Sequence, residues 1–375
     1  MLRQLFPQKR YYLDYAASTP VSKEIMCSMS RFWSVLYANP NSIHRSGKNI
    51  AELVRGFEEM AKKNTNANKK TKIVWTSGGT ESNQLALQTA IKSWKKNNTD
   101  TSFLVLVSHL EHASVLNYLE SLDEPLMEIV YINLKKNGKL DLGHVRLLLE
   151  QNENIALLSL QLQSSQIGVT QELKKIGELK KNTFPTIHID ASQGVFYNNV
   201  NMQDWNADTL TICAQKIHGP KGSGILLCKP DRVPVREGTP AAPLIAGVSH
   251  ALTEAQKNTH KHALLIQTRR KELFQELRRL KVNFVCNGEE EVDSLVVNMS
   301  FPKDTRDSEQ MIIAFDQVGL EVSSKSACMG SQAQDSILLS SMGLKQNNSV
   351  RISLHHDLGS GDIKKIAKRI KSVVR

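Results

Sequence analysis

The sequence has no apolar run approaching the roughly 20 residues that a membrane-crossing helix needs. Its N-terminus, Met1 to Pro7, passes straight into a polar stretch at Lys9 and Arg10, where a secretion signal would carry an apolar segment of about 7–15 residues. The expectation is a soluble, cytoplasmic chain with no membrane contact. Its five cysteines, Cys27, Cys213, Cys228, Cys286 and Cys328, are odd in number, far apart and without a C-x-x-C pair. That spacing argues against a disulfide framework and a zinc site, so no metal is expected. A repeat of roughly 20–50 residues is also missing, as is any long low-complexity tract, which removes solenoids and linker proteins.

What is present is ordinary globular material: 40% hydrophobic and 23% charged residues over 375 positions. That length exceeds what one hydrophobic core comfortably fills, so a large domain and a smaller one are predicted. The net charge of +11 sits in scattered pairs such as Lys69–Lys70, Lys95–Lys96, Lys135–Lys136 and Lys174–Lys175. No basic stripe interleaved with aromatics accompanies them, which argues for a solvated surface and against a nucleic-acid partner.

Hydrophobic patterning alternates between helical and extended periods. Helices are predicted over 49–67, 82–95, 113–122, 142–151 and 172–182, and strands over 72–75, 103–107, 127–131, 155–160 and 186–190. Such alternation defines an α/β domain with a largely parallel sheet. After about residue 235 come one long helical stretch, 248–280, strands near 283–285 and 294–300, and a helix beyond Asp307. A final amphipathic helix over 362–375 carries Ile363, Ile366, Ile370 and Val373 on one side. The expected division is an N-terminal segment, 1–15, packing with the small domain, a large domain over 16–245, and a small α+β domain over 246–375.

In an open parallel sheet, ligands collect beyond the carboxyl ends of the strands. The residues following the predicted strands therefore matter most. Thr76 to Asn83 contains Gly78 and Gly79 just before a helix. This reads either as a phosphate cradle or as a tight turn with a helix cap. Ser108 to Ala113 brings His109 and His112 to the same edge. Asp190, at the end of a buried strand, needs a cationic partner, and a protonated pyridine nitrogen is one candidate. Lys216 stands between the apolar run 211–214 and the turn 219–222. A lysine in a partly dehydrated pocket has its pKa lowered and becomes a nucleophile toward aldehydes. Taken in order, these four signals match the needs of a pyridoxal 5′-phosphate (PLP) site.

Eight motifs carry a family resemblance over nearly the whole chain: Tyr12–Pro20, Asn39–Gly47, Thr76–Asn83, Glu111–His112, His188–Gln193, Lys216–Gly222, Ser323–Cys328 and Ser349–Leu354. Through them the sequence resembles the NifS/IscS-type cysteine desulfurases of the class V aminotransferase group. The resemblance implies PLP fold type I: a mostly parallel seven-stranded central sheet flanked by helices, with a smaller α+β domain, in a homodimer. It implies Lys216 as the Schiff-base lysine, His112 stacked on the cofactor ring, Asp190 on the pyridine nitrogen and Gln193 on the ring hydroxyl. Gly79 and Thr80 would bind the phosphate, while Arg351 and Asn39 would bind substrate, the guanidinium clamping a carboxylate. Cys328, in a segment over 323–334 that reads as a mobile loop, would accept sulfur from L-cysteine as a persulfide, leave L-alanine, and pass the sulfur to an acceptor protein. That acceptor would be a scaffold of iron–sulfur cluster biogenesis or a tRNA-thiolation factor.

The chain departs from the family at the cofactor. Ser165 replaces a ring-contacting Asn, Cys213 a phosphate-binding Ser, and Gln215 a His. Val248 falls where the family lends a threonine to the neighbouring subunit's phosphate. Two further readings stay open at this stage: a diverged relative that serves as a partner or scaffold protein with little PLP catalysis, and a PLP lyase or aminotransferase that uses no persulfide.

Overall fold

The computed structural model describes residues 9–180, 185–324, 338, 340–343 and 348–374. The chain begins with a short strand, β1 (Tyr11–Tyr12), and two helices, α1 (Lys23–Ser34) and α2 (Arg45–Asn64). There follow β2 (Lys72–Thr76), α3 (Gly79–Asn97), β3 (Phe103–Val107), α4 (Ala113–Glu120), β4 (Met127–Tyr131), α5 (Leu142–Gln151), β5 (Ile155–Gln161), α6 (Leu173–Gly177), β6 (Thr186–Asp190), β7 (Thr209–Cys213) and β8 (Gly224–Cys228). The remainder comprises α7 (Ala242–Lys257), α8 (Thr259–Arg279), β9 (Val285–Cys286), β10 (Val296–Ser300), α9 (Ser308–Gln317), β11 (Leu320–Glu321), β12 (Ser349–Ser353) and α10 (Ser360–Val373).

Strands β2 to β8 form one seven-stranded sheet in the order β2-β8-β7-β6-β5-β3-β4. Only β8 runs antiparallel to its neighbours; the other pairs are parallel. The mostly parallel sheet expected from the alternation is therefore present. Every residue of β5, β6 and β7 is buried, as both faces of a helix-covered sheet must be. Register aligns Gln161 with Asp190 and Asp190 with Thr211. The carboxyl ends of three adjacent strands thus meet at one level.

Helix α2 shows how the sequence sets its elements. Ile50, Val54, Phe57 and Ala61 are buried along one stripe, and His44 caps the start by accepting from Gly47 N. The expected helix over 248–280 is instead two helices broken at Asn258, whose Nδ2 donates back to Glu254 O at 3.2 Å. Such local side-chain bonding competes with helix continuation. The helix predicted over 172–182 ends at Gly177, where a Cβ would lie 2.4 Å from Trp205 O; residues 181 and 182 of that prediction lie outside the described residues.

Strands β9, β10 and β12 form a separate antiparallel sheet with β10 central, and α10 buries Ile363, Ile366 and Ile370 as it packs on α8 and α9. Strand β1 pairs in parallel with β11, and Asp14 bridges to Ser353. These contacts lay residues 11–17 across the carboxyl edge of the large sheet. Among the described residues no helix is long and apolar enough to cross a membrane.

Candidate active site

A cavity of about 230 Å³ opens at that edge. It brings together Gly79, Thr80, His112, Ser165, Asp190, Gln193, Cys213, Gln215, Lys216 and Arg351, all expected from the sequence. Asn39 does not line it; that residue is exposed in the turn before α2, where its Oδ1 accepts from Asn41 N at 2.9 Å. Cys328 and most of the expected loop lie outside the described residues. Of the two histidines after β3, His112 enters the cavity, while His109 stacks on Tyr131 with centroids 4.0 Å apart.

One end of the cavity is built on Asp190, at the tip of β6. Its Oδ2 accepts from Asn83 Nδ2 at 2.8 Å and its Oδ1 from Ser192 N at 2.8 Å. Behind it, Asn83 Oδ1 contacts His188 Nε2 at 3.2 Å, and His188 Nδ1 pairs with Thr209 Oγ1 at 2.9 Å. Burial pushes the His188 pKa down to about 4, so this imidazole is neutral at pH 7. Glu111, also wholly buried, has its pKa pushed well up by desolvation and then by the Asp190 charge, which favours its protonated form. Glu111 is thereby kept from adding a second charge beside Asp190.

His112 caps α4: its Nδ1 accepts from Ser114 N at 3.1 Å. With that lone pair engaged, the neutral ring carries its proton on Nε2. Burial lowers its pKa, against the opposing pull of Asp190 and with help from Lys216 and Arg351. A neutral, partly buried imidazole suits stacking on an aromatic ligand.

Lys216 ends the 3₁₀ turn that follows β7. Its Nζ donates to Ala16 O at 2.5 Å and Ala17 O at 2.7 Å, and Gln193 Nε2 also donates to Ala16 O, at 2.7 Å. Two residues on, His218 adopts a left-handed φ of 59°, held by Thr19 Oγ1 on its N–H at 2.9 Å and Pro20 O on its Nδ1 at 3.0 Å. Backbone strain of this kind persists where surrounding structure over-determines it, commonly beside reacting groups. Across the cavity, Arg351 on β12 is 1% exposed. Its Nη2 pairs with Asp14 Oδ1 at 2.7 Å and its Nη1 donates to Ser165 O at 3.1 Å, while Nε has no partner among the described residues. That leaves a donor for a carboxylate ligand.

The other end is the start of α3. Gly78, at φ 151°, provides no side-chain cap, so the first N–H groups of a 19-residue helix lack an intrahelical partner and favour an anion. A Cβ on Gly79 would lie 2.8 Å from Ser192 Oγ and 3.4 Å from Cys213 Cβ, so only glycine fits. Burial raises the Cys213 pKa, outweighing the Gly79 and Gln215 N–H groups and Lys216, and keeps the thiol protonated. No fixed anion of Cys213 competes in the cradle. Anion cradle, neutral imidazole, carboxylate and lysine together fit PLP.

Sequence reasoning missed Asp14, Asn83, Ser114, Ser192 and the carbonyls of Ala16 and Ala17. Asn83 had a signal, since it lies four residues after Gly79 on the same face of α3. The carbonyls had none. Val248 lies within α7 and is 1% exposed in this chain's own core.

Sheet, cradle and lysine define a fold type I PLP-binding protein. The family model for class-V aminotransferases matches residues 11–234. The chain is 30% identical to the mitosomal cysteine desulfurase of Encephalitozoon cuniculi, over 89% of this chain and 79% of that one. Among solved structures, a NifS-like protein superposes with a TM-score of 0.85 at 22% identity, covering 97% of this chain and 99% of that one. Another, SspA in complex with cysteine, superposes with a TM-score of 0.73 at 25% identity, covering 92% and 98%. The chain belongs to the class-V aminotransferase family, in its NifS/IscS-like branch, whose cofactor is PLP.

Proposed function

We propose that the protein is a cysteine desulfurase, converting L-cysteine to L-alanine and carrying the sulfur on Cys328 to an acceptor protein. One observation carries the reading: His112, Asp190, Lys216 and Arg351 line the same cavity as the α3 anion cradle. When bound, PLP supplies an aldehyde that condenses with amines and a ring that withdraws electrons from the substrate Cα. Gly79 and Thr80 would hold its phosphate, Asp190 its ring nitrogen and Gln193 its ring hydroxyl. Arg351, oriented by Asp14, binds the carboxylate of cysteine. Lys216 Nζ takes the Cα proton and, once the Cβ–S bond has broken, returns a proton to Cα. The Cys328 thiolate attacks the substrate sulfur: an S–S bond forms, the Cβ–S bond breaks with its electron pair left on Cβ, and Cβ takes a proton. Alanine departs, and the terminal sulfur stays on Cys328 until the acceptor, in iron–sulfur cluster biogenesis or tRNA thiolation, removes it.

A homodimer is part of this reading. Trp33, in the last turn of α1, and Val35, Tyr37 and Ile43, between α1 and α2, are all exposed, and apolar surface of this kind marks association sites. The test of the activity is to incubate protein, PLP, L-cysteine and a thiol reductant, then measure alanine and sulfide. Equal amounts of both, lost in Cys328→Ala, are expected. Undiminished alanine in Cys328→Ala would make the protein a PLP lyase without a persulfide, and a PLP-loaded protein that makes no alanine would favour a partner or scaffold role.

A further inference from the structure

Resting on the PLP reading, a more specific assignment follows from the hydroxyls around the α3 cradle. Thr76 Oγ1 and Ser82 Oγ pair with each other at 2.7 Å. Ser77 is engaged by Glu81, whose Oε2 accepts from Ser77 N at 2.5 Å and whose side chain also bonds the Ser77 side chain. Ser114 Oγ accepts from Asn83 Nδ2 at 3.0 Å and contacts His112 Nδ1 at 2.8 Å. Ser192 differs: its Oγ is buried and has no hydrogen-bond partner among the described residues, although the residue lines the cavity. Thr211 Oγ1 is likewise unpartnered, but Thr211 is not among the residues lining the cavity. A buried polar atom without a protein partner needs an explanation, and a ligand oxygen supplies one.

We propose that Ser192 supplies, alongside Thr80, a hydroxyl that binds the cofactor phosphate, in place of the hydroxyl that position 213 lacks. The two side chains face the same point, since a Cβ on Gly79 would lie 2.8 Å from Ser192 Oγ and 3.8 Å from Cys213 Sγ. A protonated thiol is a weak donor, whereas a serine hydroxyl is a good one. The backbone of Ser192 is fixed as well, because its N–H donates to Asp190 Oδ1 at 2.8 Å. One short turn therefore carries both the carboxylate for the ring nitrogen and a hydroxyl for the phosphate.

The experiment compares PLP with pyridoxal, which has no phosphate, by absorbance titration of full-length protein stripped of cofactor. Ser192→Ala is expected to raise the PLP Kd about tenfold to a hundredfold, the range for one hydrogen bond to a charged group, and to leave the pyridoxal Kd within about threefold. Ser192→Cys, which keeps the shape but donates weakly, should also weaken PLP binding. Cys213→Ser added to Ser192→Ala should restore part of the loss. Unchanged PLP affinity in Ser192→Ala and Ser192→Cys, or equal losses for PLP and pyridoxal, would overturn the assignment while leaving PLP binding intact. Wild-type protein that binds neither compound would overturn the PLP reading itself, and this assignment with it.

Discussion

The two ends of the cavity are built on opposite plans. Around Asp190 the protein satisfies its own polar groups, through Asn83, His188 and Thr209 in an unbroken chain of contacts between 2.8 and 3.2 Å. Around Gly79 it is less self-satisfied: the α3 start has no side-chain cap, the Gly79 N–H meets only the weakly accepting Cys213 sulfur, and Ser192 Oγ has no partner among the described residues. The first arrangement holds a charge rigid before any ligand arrives, which is how preorganised electrostatics act. The second is completed by what it binds. The substrate side is a third case, where Arg351 is steadied by Asp14 and Ser165 O but keeps Nε unpartnered among the described residues.

Breaking the preorganised end should cost most. Asp190→Asn removes the charge at the ring nitrogen and is expected to lower the rate of alanine formation by about a hundredfold or more, measured with saturating cysteine and PLP. A loss below about tenfold would mean that this end is not the electronic centre.

The substrate side should give a smaller and different effect. Asp14→Asn leaves Arg351 in place but removes its carboxylate partner, so the KM for cysteine should rise about tenfold with kcat changed less. Asp14→Glu should recover part of it. Equal changes in both constants would assign Asp14 to folding alone.

The smallest effect is on stability against pH. His188 is held near 4 by burial, below its ordinary 6.5, so the unfolded chain binds a proton first as the pH falls. Its contribution to stability is complete above about pH 6.5 and is lost as the pH drops toward 4. The urea midpoint should fall across that window, and His188→Gln should flatten the fall. His262 and His355, also held near 4 by burial, keep part of it in the variant. Glu111, with its raised pKa, slopes the other way, and the difference between wild type and variant removes both.

Much of this was legible because strand ends announce themselves. Asp190 and Lys216 each close an apolar run, and Gly78–Gly79 precede a helix, so their place at the sheet edge follows from pattern alone. The partners of those groups were not legible. Ser192 is two residues from Asp190, yet only the fold shows that its hydroxyl faces Gly79. Asp14 and Arg351 are brought together by β1 pairing with β11 and by the Asp14–Ser353 bridge, contacts between distant segments that periodicity does not encode. The break at Asn258 was hidden for a different reason: helical periodicity continues on both sides of it, and only side-chain bonding to Glu254 interrupts it.

The central claim is that Lys216 is the amine that engages PLP, and borohydride reduction of the PLP-incubated protein followed by peptide mapping tests it most directly. The account predicts a pyridoxyl group on Lys216 and none in Lys216→Ala. Label confined to another lysine, or an unlabelled protein, would contradict it.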